Sequence, residues 1–177
     1  GVIDLSKVDA SAIAAGTVDG KLYALPLAAN MPGILYNKSL LERVGAPLPK
    51  VSMTWEEFAA WLAVVKAKLP KGVYPMQDIG ALPSNSTPFG YWCRYNGTPL
   101  YNAEAKTTAV SAAAAQKYLE LFKGLRDAAL VPPADVASGL AEQNADTSAL
   151  VAGKVAIGFI WTNQLAGYQG AMKDEIG

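Results

Sequence analysis

Residues 19–45 read DGKLYALPLAANMPGILYNKSLLERVG, a run in which chain breakers alternate with β-rich segments. Asp19-Gly20 is a turn signal, because glycine reaches a positive φ at little steric cost. Leu22 to Leu27 then reads as a strand, and Pro26, which cannot donate to a ladder, marks its end or an edge. Ala28 to Gly33 is a loop that carries Asn30 and Met31 and breaks at Pro32-Gly33. Ile34-Leu35-Tyr36 is a second, apolar strand. Ser39 can cap a short helix over Leu40 to Val44, and Gly45 suits the left-handed position past its end. Strand, polar loop, strand and short helix together point to an α/β fold.

Upstream of this run, Ser6 to Ala15 reads as a helix stopped by Gly16. Downstream, a proline-containing loop at residues 46–53 leads to Thr54-Trp55-Glu56-Glu57, which has the form of a capping box. Trp55, Phe58, Leu62, Val65 and Leu69 recur at steps of three and four, so the spacing predicts a helix over 54–69 with Trp55 in the core. Glu56 and Glu57 do not face each other on a helix, and acidic groups in a first turn favour its dipole. They are read as capping groups, not catalytic acids.

Val73 to Ile79 is a strand candidate, followed by a loop over residues 80–88 and an aromatic segment, Phe89 to Tyr95, closed by Asn96-Gly97. A long helix is expected from Thr108 or Ser111 to about Ala129, with Ala112, Ala115, Leu119, Phe122, Leu125 and Ala129 facing inward. Asp135 to Glu142 and Thr147 to Ala152 read as short helices. Val155 to Ile160 is a buried strand, running into Trp161-Thr162-Asn163-Gln164 and a helix to Lys173. The expected architecture is a mixed sheet flanked by helices in a single α/β lobe spanning residues 1–177.

Composition narrows the chemistry. Fifteen basic residues balance fifteen acidic ones without a basic block, so no phosphate-neutralising surface for nucleic acid is visible. No apolar run approaches the roughly 20 residues that cross a bilayer. The chain has no histidine, which removes Ser-His-Asp and Cys-His arrangements and the usual zinc ligands. The lone Cys93 forms no internal disulfide or multi-cysteine metal site and reads as a buried thiol. No metal or cofactor is expected.

The ordered series Gly20, Lys21, Tyr23, Pro26, then Tyr36, Asn37, Lys38, Leu40 and Leu41 resembles the sugar-binding branch of the extracellular solute-binding proteins that feed ABC importers, which includes the maltodextrin-binding proteins. Thr54-Trp55-Glu56-Glu57 and the Ala152-Gly153-Lys154 strand start are similar to the same family. The resemblance implies two α/β lobes closing on a ligand, of which this chain is one, the second or C-terminal type, with the first lobe, return segments and closing helices outside it. It also implies a carbohydrate ligand, permease partners and a periplasmic or extracellular location, with a lipid-anchored parent if the source is Gram-positive. Relatives place a cleft aromatic where this chain has Ser86, and a stacking tryptophan where it has Asn163, Trp161 arriving two positions earlier.

Sugars present hydroxyls that want groups able both to donate and to accept, and C–H faces that want aromatic rings. Asn30, Met31, Ser84, Asn85, Ser86, Thr87, Trp161, Asn163 and Gln164 meet that need in loops that adjoin strand ends, where ligands of open α/β sheets sit. They are the candidate ligand-binding residues. The alternatives are a glycoside hydrolase using Asp78 and Asp174 as a carboxylate pair, and a non-catalytic protein-interaction domain.

Overall fold

The computed structural model describes residues 3–25, 27–81, 87–102, 104–140 and 145–177, arranged in two compact units, residues 1–31 and 32–177. In the first unit α1 (Ala10–Ala15) starts later than the helix expected from Ser6, because Asp9 caps it by accepting the Ser11 N–H at 2.8 Å. β1 (Thr17–Val18) and β2 (Lys21–Leu22) form a hairpin around Asp19 and Gly20, whose φ of 49° and 74° give the turn a twist that matches its strands. The strand expected over Leu22–Leu27 therefore stops at Leu22. Beyond it, the Tyr23 and Ala24 N–H groups turn back to the Gly16 carbonyl at 2.9 and 3.3 Å. No described residue of this unit is buried.

The second unit runs through β3 (Pro32–Tyr36), α2 (Lys38–Arg43), α3 (Trp55–Lys66), β4 (Tyr74–Met76), α4 (Thr87–Tyr95), β5 (Tyr101–Asn102), β6 (Thr107–Thr108), α5 (Ala112–Asp127), α6 (Ala134–Gly139), β7 (Val155–Trp161) and α7 (Leu165–Ala171). Its main sheet has the order β3-β7-β4 and is mixed: β3 lies antiparallel to β7 and β4 parallel to it. The central strand is the near-continuous apolar run Val155 to Ile160, as burial on both faces demands. In the larger apolar cluster Met76 and Ile157 pack with Phe58, Trp61, Leu62 and Val65 of α3, Trp92 and Cys93 of α4, and Tyr118, Phe122 and Leu125 of α5. Leu35, Leu150, Val155, Ile160 and Tyr168 form a second, smaller cluster.

Several expectations are corrected. Asn37, not Ser39, caps α2, its Oδ1 accepting the Leu40 N–H at 2.7 Å. β4 ends at Met76: the Gln77 N–H still donates to the Ile157 carbonyl at 2.9 Å, the chain then turns, with the Ile79 N–H donating back to the Gln77 carbonyl at 3.0 Å, and the buried Gln77 side chain accepts the Phe159 N–H at 3.2 Å. In α5 the buried stripe is Ala114, Tyr118, Phe122 and Leu125, while Ala112 and Leu119 face solvent. Thr107 and Thr108 belong to a hairpin, which delays that helix to its cap at Ser111. The helix expected over Thr147–Ala152 is a 3-10 turn, Ala145–Thr147, followed by turns held by the Ser148 hydroxyl, which accepts the Val151 N–H at 3.0 Å.

The last residues of the chain are bound to the Tyr36-Asn37-Lys38-Ser39 run. Tyr36 and Gly177 exchange two backbone hydrogen bonds of 3.0 Å. Asn37 Nδ2 donates to Asp174 at 2.9 Å, Lys38 pairs with Glu175 at 2.8 Å, and the Ser39 hydroxyl accepts the Glu175 N–H at 2.9 Å.

Candidate functional site

Strand alternation places Pro32, Ile34 and Tyr36 opposite Trp161, Phe159 and Ile157, on one face of the sheet. Against that face, α3, α4 and the loop at residues 49–54 enclose a cavity of about 490 Å³. Among the described residues, six aromatics border it: Tyr36, Trp55, Phe58, Tyr91, Tyr95 and Phe159. Ser52 and Thr54 add hydroxyls, and Lys50 is the one charged residue of its lining among the described residues. Apolar walls with a few polar groups suit a small organic ligand.

Local sequence aims these rings. The capping box at the start of α3 is formed: Thr54 Oγ1 accepts the Glu57 N–H at 3.1 Å, and Glu57 Oε2 accepts the Thr54 N–H at 2.8 Å. It fixes the first helical turn and with it Trp55, which is half-buried at the cavity while Trp61 takes the core position. The core role expected of Trp55 thus belongs to Trp61, whose indole N–H donates to the Pro47 carbonyl at 2.9 Å. Tyr91 and Tyr95 stand one turn apart on α4, with the Arg94 guanidinium 4.7 Å from the Tyr91 ring centre. Trp92 is buried against Phe89 and Tyr118. Ser52, in the cavity loop, holds φ at 66°, a left-handed conformation that costs a residue with a Cβ and clusters at functional sites.

The expected site residues fall around this cavity unevenly. Trp161 ends β7, half-buried, on the pleat face of Phe159 and opposite the cavity residue Pro32. Asn163 and Gln164 lie exposed in the following 3-10 turn, Thr162–Gln164, and Gln164 Oε1 accepts the Trp161 N–H at 2.9 Å. Thr87 opens α4, next to the cavity residue Pro88. Asn30 and Met31 are exposed in the first unit. Ser84, Asn85 and Ser86 lie outside the described residues. Sequence reading gave no place to the 49–54 loop, which lines the cavity.

The two carboxylates considered for hydrolysis serve other partners. Asp78 is fully buried, accepting from Arg126 Nε at 2.6 Å and the Gly80 N–H at 3.0 Å. Burial, reinforced by the Asp78 charge, pushes the nearby Tyr118 phenol up. Hydrogen bonds from Arg43 and then Asn37 hold the Asp174 carboxyl below the usual carboxylate range. Neither aspartate lines the cavity. Among the described residues, no three His, Cys, Asp or Glu side chains gather as a metal-binding group, and no helix is long and apolar enough to cross a membrane.

An α/β scaffold with an aromatic-walled cavity beside its sheet is the build of a ligand-binding module. The chain belongs to the bacterial extracellular solute-binding protein family, whose profile matches residues 1–177. It is similar to the family 1 extracellular solute-binding protein of Alicyclobacillus acidocaldarius, at 30% identity and a TM-score of 0.77, over 99% of this chain and 42% of that protein. It is 41% identical over 51 residues to the multiple sugar-binding protein of Streptococcus mutans, which is 29% of this chain and 11% of that protein. A periplasmic oligogalacturonide-binding protein of Yersinia enterocolitica, solved with saturated digalacturonic acid, shares the fold at 20% identity and a TM-score of 0.76, over 98% of this chain and 43% of that one. The chain therefore has the periplasmic-binding-protein fold and spans less than half the length of these relatives.

Proposed function

We propose that this chain supplies one lobe, of the second or C-terminal type, to the substrate-binding component of an ABC sugar importer and binds carbohydrate without turning it over. The observation that carries this reading is the aromatic-walled cavity between the start of α4 and the end of β7 in a member of a solute-binding family. The sugar-binding relative from Streptococcus and the oligogalacturonide-bound neighbour support the ligand class. Ring faces at Trp161, Trp55 and Tyr91 would stack on sugar C–H faces, while Asn163, Gln164, Thr87 and the loop residues Ser84, Asn85 and Ser86 would meet hydroxyls. Asn30 and Met31 are proposed as contacts of the first unit in their own right. The parent would act outside the cytoplasm, lipid-anchored if Gram-positive, and deliver its ligand to permease subunits.

The test is a titration of the chain with maltotriose and with digalacturonic acid, following tryptophan fluorescence and reducing-end release. Saturable quenching without release is expected, weakened about three- to tenfold by Trp161→Ala or Trp55→Ala. Equal affinity in both variants would remove this cavity from the site, and sugar release would replace the binding role with hydrolysis.

A further inference from the structure

The chain carries equal numbers of basic and acidic residues, yet its cavity is one-signed. Among the described residues the lining holds Lys50 and no carboxylate. A second cation stands at the wall: the Arg94 guanidinium lies 4.7 Å from the centre of the Tyr91 ring, and Tyr91 lines the cavity. Stacking on a ring holds a guanidinium in place while its in-plane N–H donors can still meet a planar acceptor. The acids that adjoin the lining in sequence, Glu56 and Glu57, are not part of it, and Glu57 Oε2 is turned onto the Thr54 N–H at 2.8 Å. Among the described residues the ion pairs lie elsewhere, at Lys38, Arg43, Lys123 and Arg126. Neither Lys50 nor Arg94 has a carboxylate partner among them.

We propose, resting on the carbohydrate reading above, that the ligand of this cavity is an acidic saccharide, a uronate, whose carboxylate meets Lys50 and Arg94. A hexuronate joins the two properties the lining asks for. Its ring presents C–H faces to the aromatic walls, and its C6 carboxylate presents the negative charge that the cations lack. A neutral sugar would use the rings and leave both cations without a partner. Lys50 offers a point charge, and Arg94 a planar fork that matches a carboxylate. Charges of one sign set in walls of low dielectric also focus their field and raise the local concentration of a ligand of opposite sign. Both side chains are exposed, so each contact is a solvent-facing pair that salt screens.

The experiment titrates the chain with digalacturonic acid and with its uncharged dimethyl ester at neutral pH and low salt, following tryptophan fluorescence. The ratio of the two affinities is the readout, because a general loss of binding does not move it. The acid is expected to bind about fivefold tighter than the ester, and the gap to close as salt is added. Lys50→Gln combined with Arg94→Gln is expected to bring the ratio to about one, whereas Lys50→Arg keeps it. If the double variant does not fold, Lys50→Glu decides, and it is expected to turn the preference towards the ester. Equal binding of acid and ester by the wild-type chain would overturn the proposal and leave the carbohydrate reading standing. So would a preference for the acid that survives in the double variant or in Lys50→Glu. If acid, ester and maltotriose all fail to bind, the carbohydrate reading falls and the uronate assignment falls with it.

Discussion

Trp61 and Trp55 share a helix and divide its work. Trp61 is 7% exposed, tilted against Phe58 at a centroid distance of 5.6 Å, so Trp61→Ala should cost about 3–5 kcal/mol in denaturant unfolding. Trp55→Ala should cost well under half of that, because its ring is only half-buried at the cavity. Asp78 is a second single-residue lever. Its carboxylate is wholly buried while its partner Arg126 is 27% exposed, so Arg126→Met, which strands the charge, is expected to destabilise by about 3 kcal/mol. Periodicity found the right helix and misassigned its tryptophans, because a stripe traced from the first turn begins beyond the point where the helix meets the core. Tyr118 lies off the stripe expected for α5, although its ring lies 4.9 Å from that of Phe122 in the core.

Among the elements, those with strong local chemistry were legible. The capping box, the Asp19-Gly20 turn and the apolar run of β7 each follow from a few adjacent residues. What was not legible depended on distant partners: the buried Gln77 and Asp78 side chains past β4 bond to Phe159 and Arg126, and Asn37, the cap of α2, also reaches Asp174. Thr54→Ala should cost about 1 kcal/mol by removing the cap of α3, and unfolding in urea measures it. The tie between α2 and residues 174–177 should be acid-sensitive. Arg43 and Asn37 lower the folded-state pKa of Asp174, so its contribution is full above the ordinary carboxylate pKa and is lost as pH falls through the lowered value. Asp174→Asn should therefore lower Tm at neutral pH, with the gap to the wild type closing in strong acid. A gap that persists unchanged there would contradict the assignment.

For the molecule as a whole, burial among the described residues is confined to residues 32–177, where both apolar clusters lie. Limited proteolysis is expected to trim residues 1–31 first and leave a fragment that still unfolds cooperatively. Equal resistance of both units would count against this. The α/β class and the order of elements in the second unit could be read from the chain, whereas the cavity could not, because its rings come from segments more than 120 residues apart, from Pro32 to Phe159. Cys93, the lone cysteine, is buried in α4, and that burial pushes its thiol up. The native thiol is thus silent towards maleimides in the folded protein. Val51, 95% exposed on the cavity loop, can then be changed to cysteine and tagged with a polarity-sensitive dye without first editing Cys93. Such a tag would turn ligand entry into an optical signal and make the chain a scaffold for a solute biosensor.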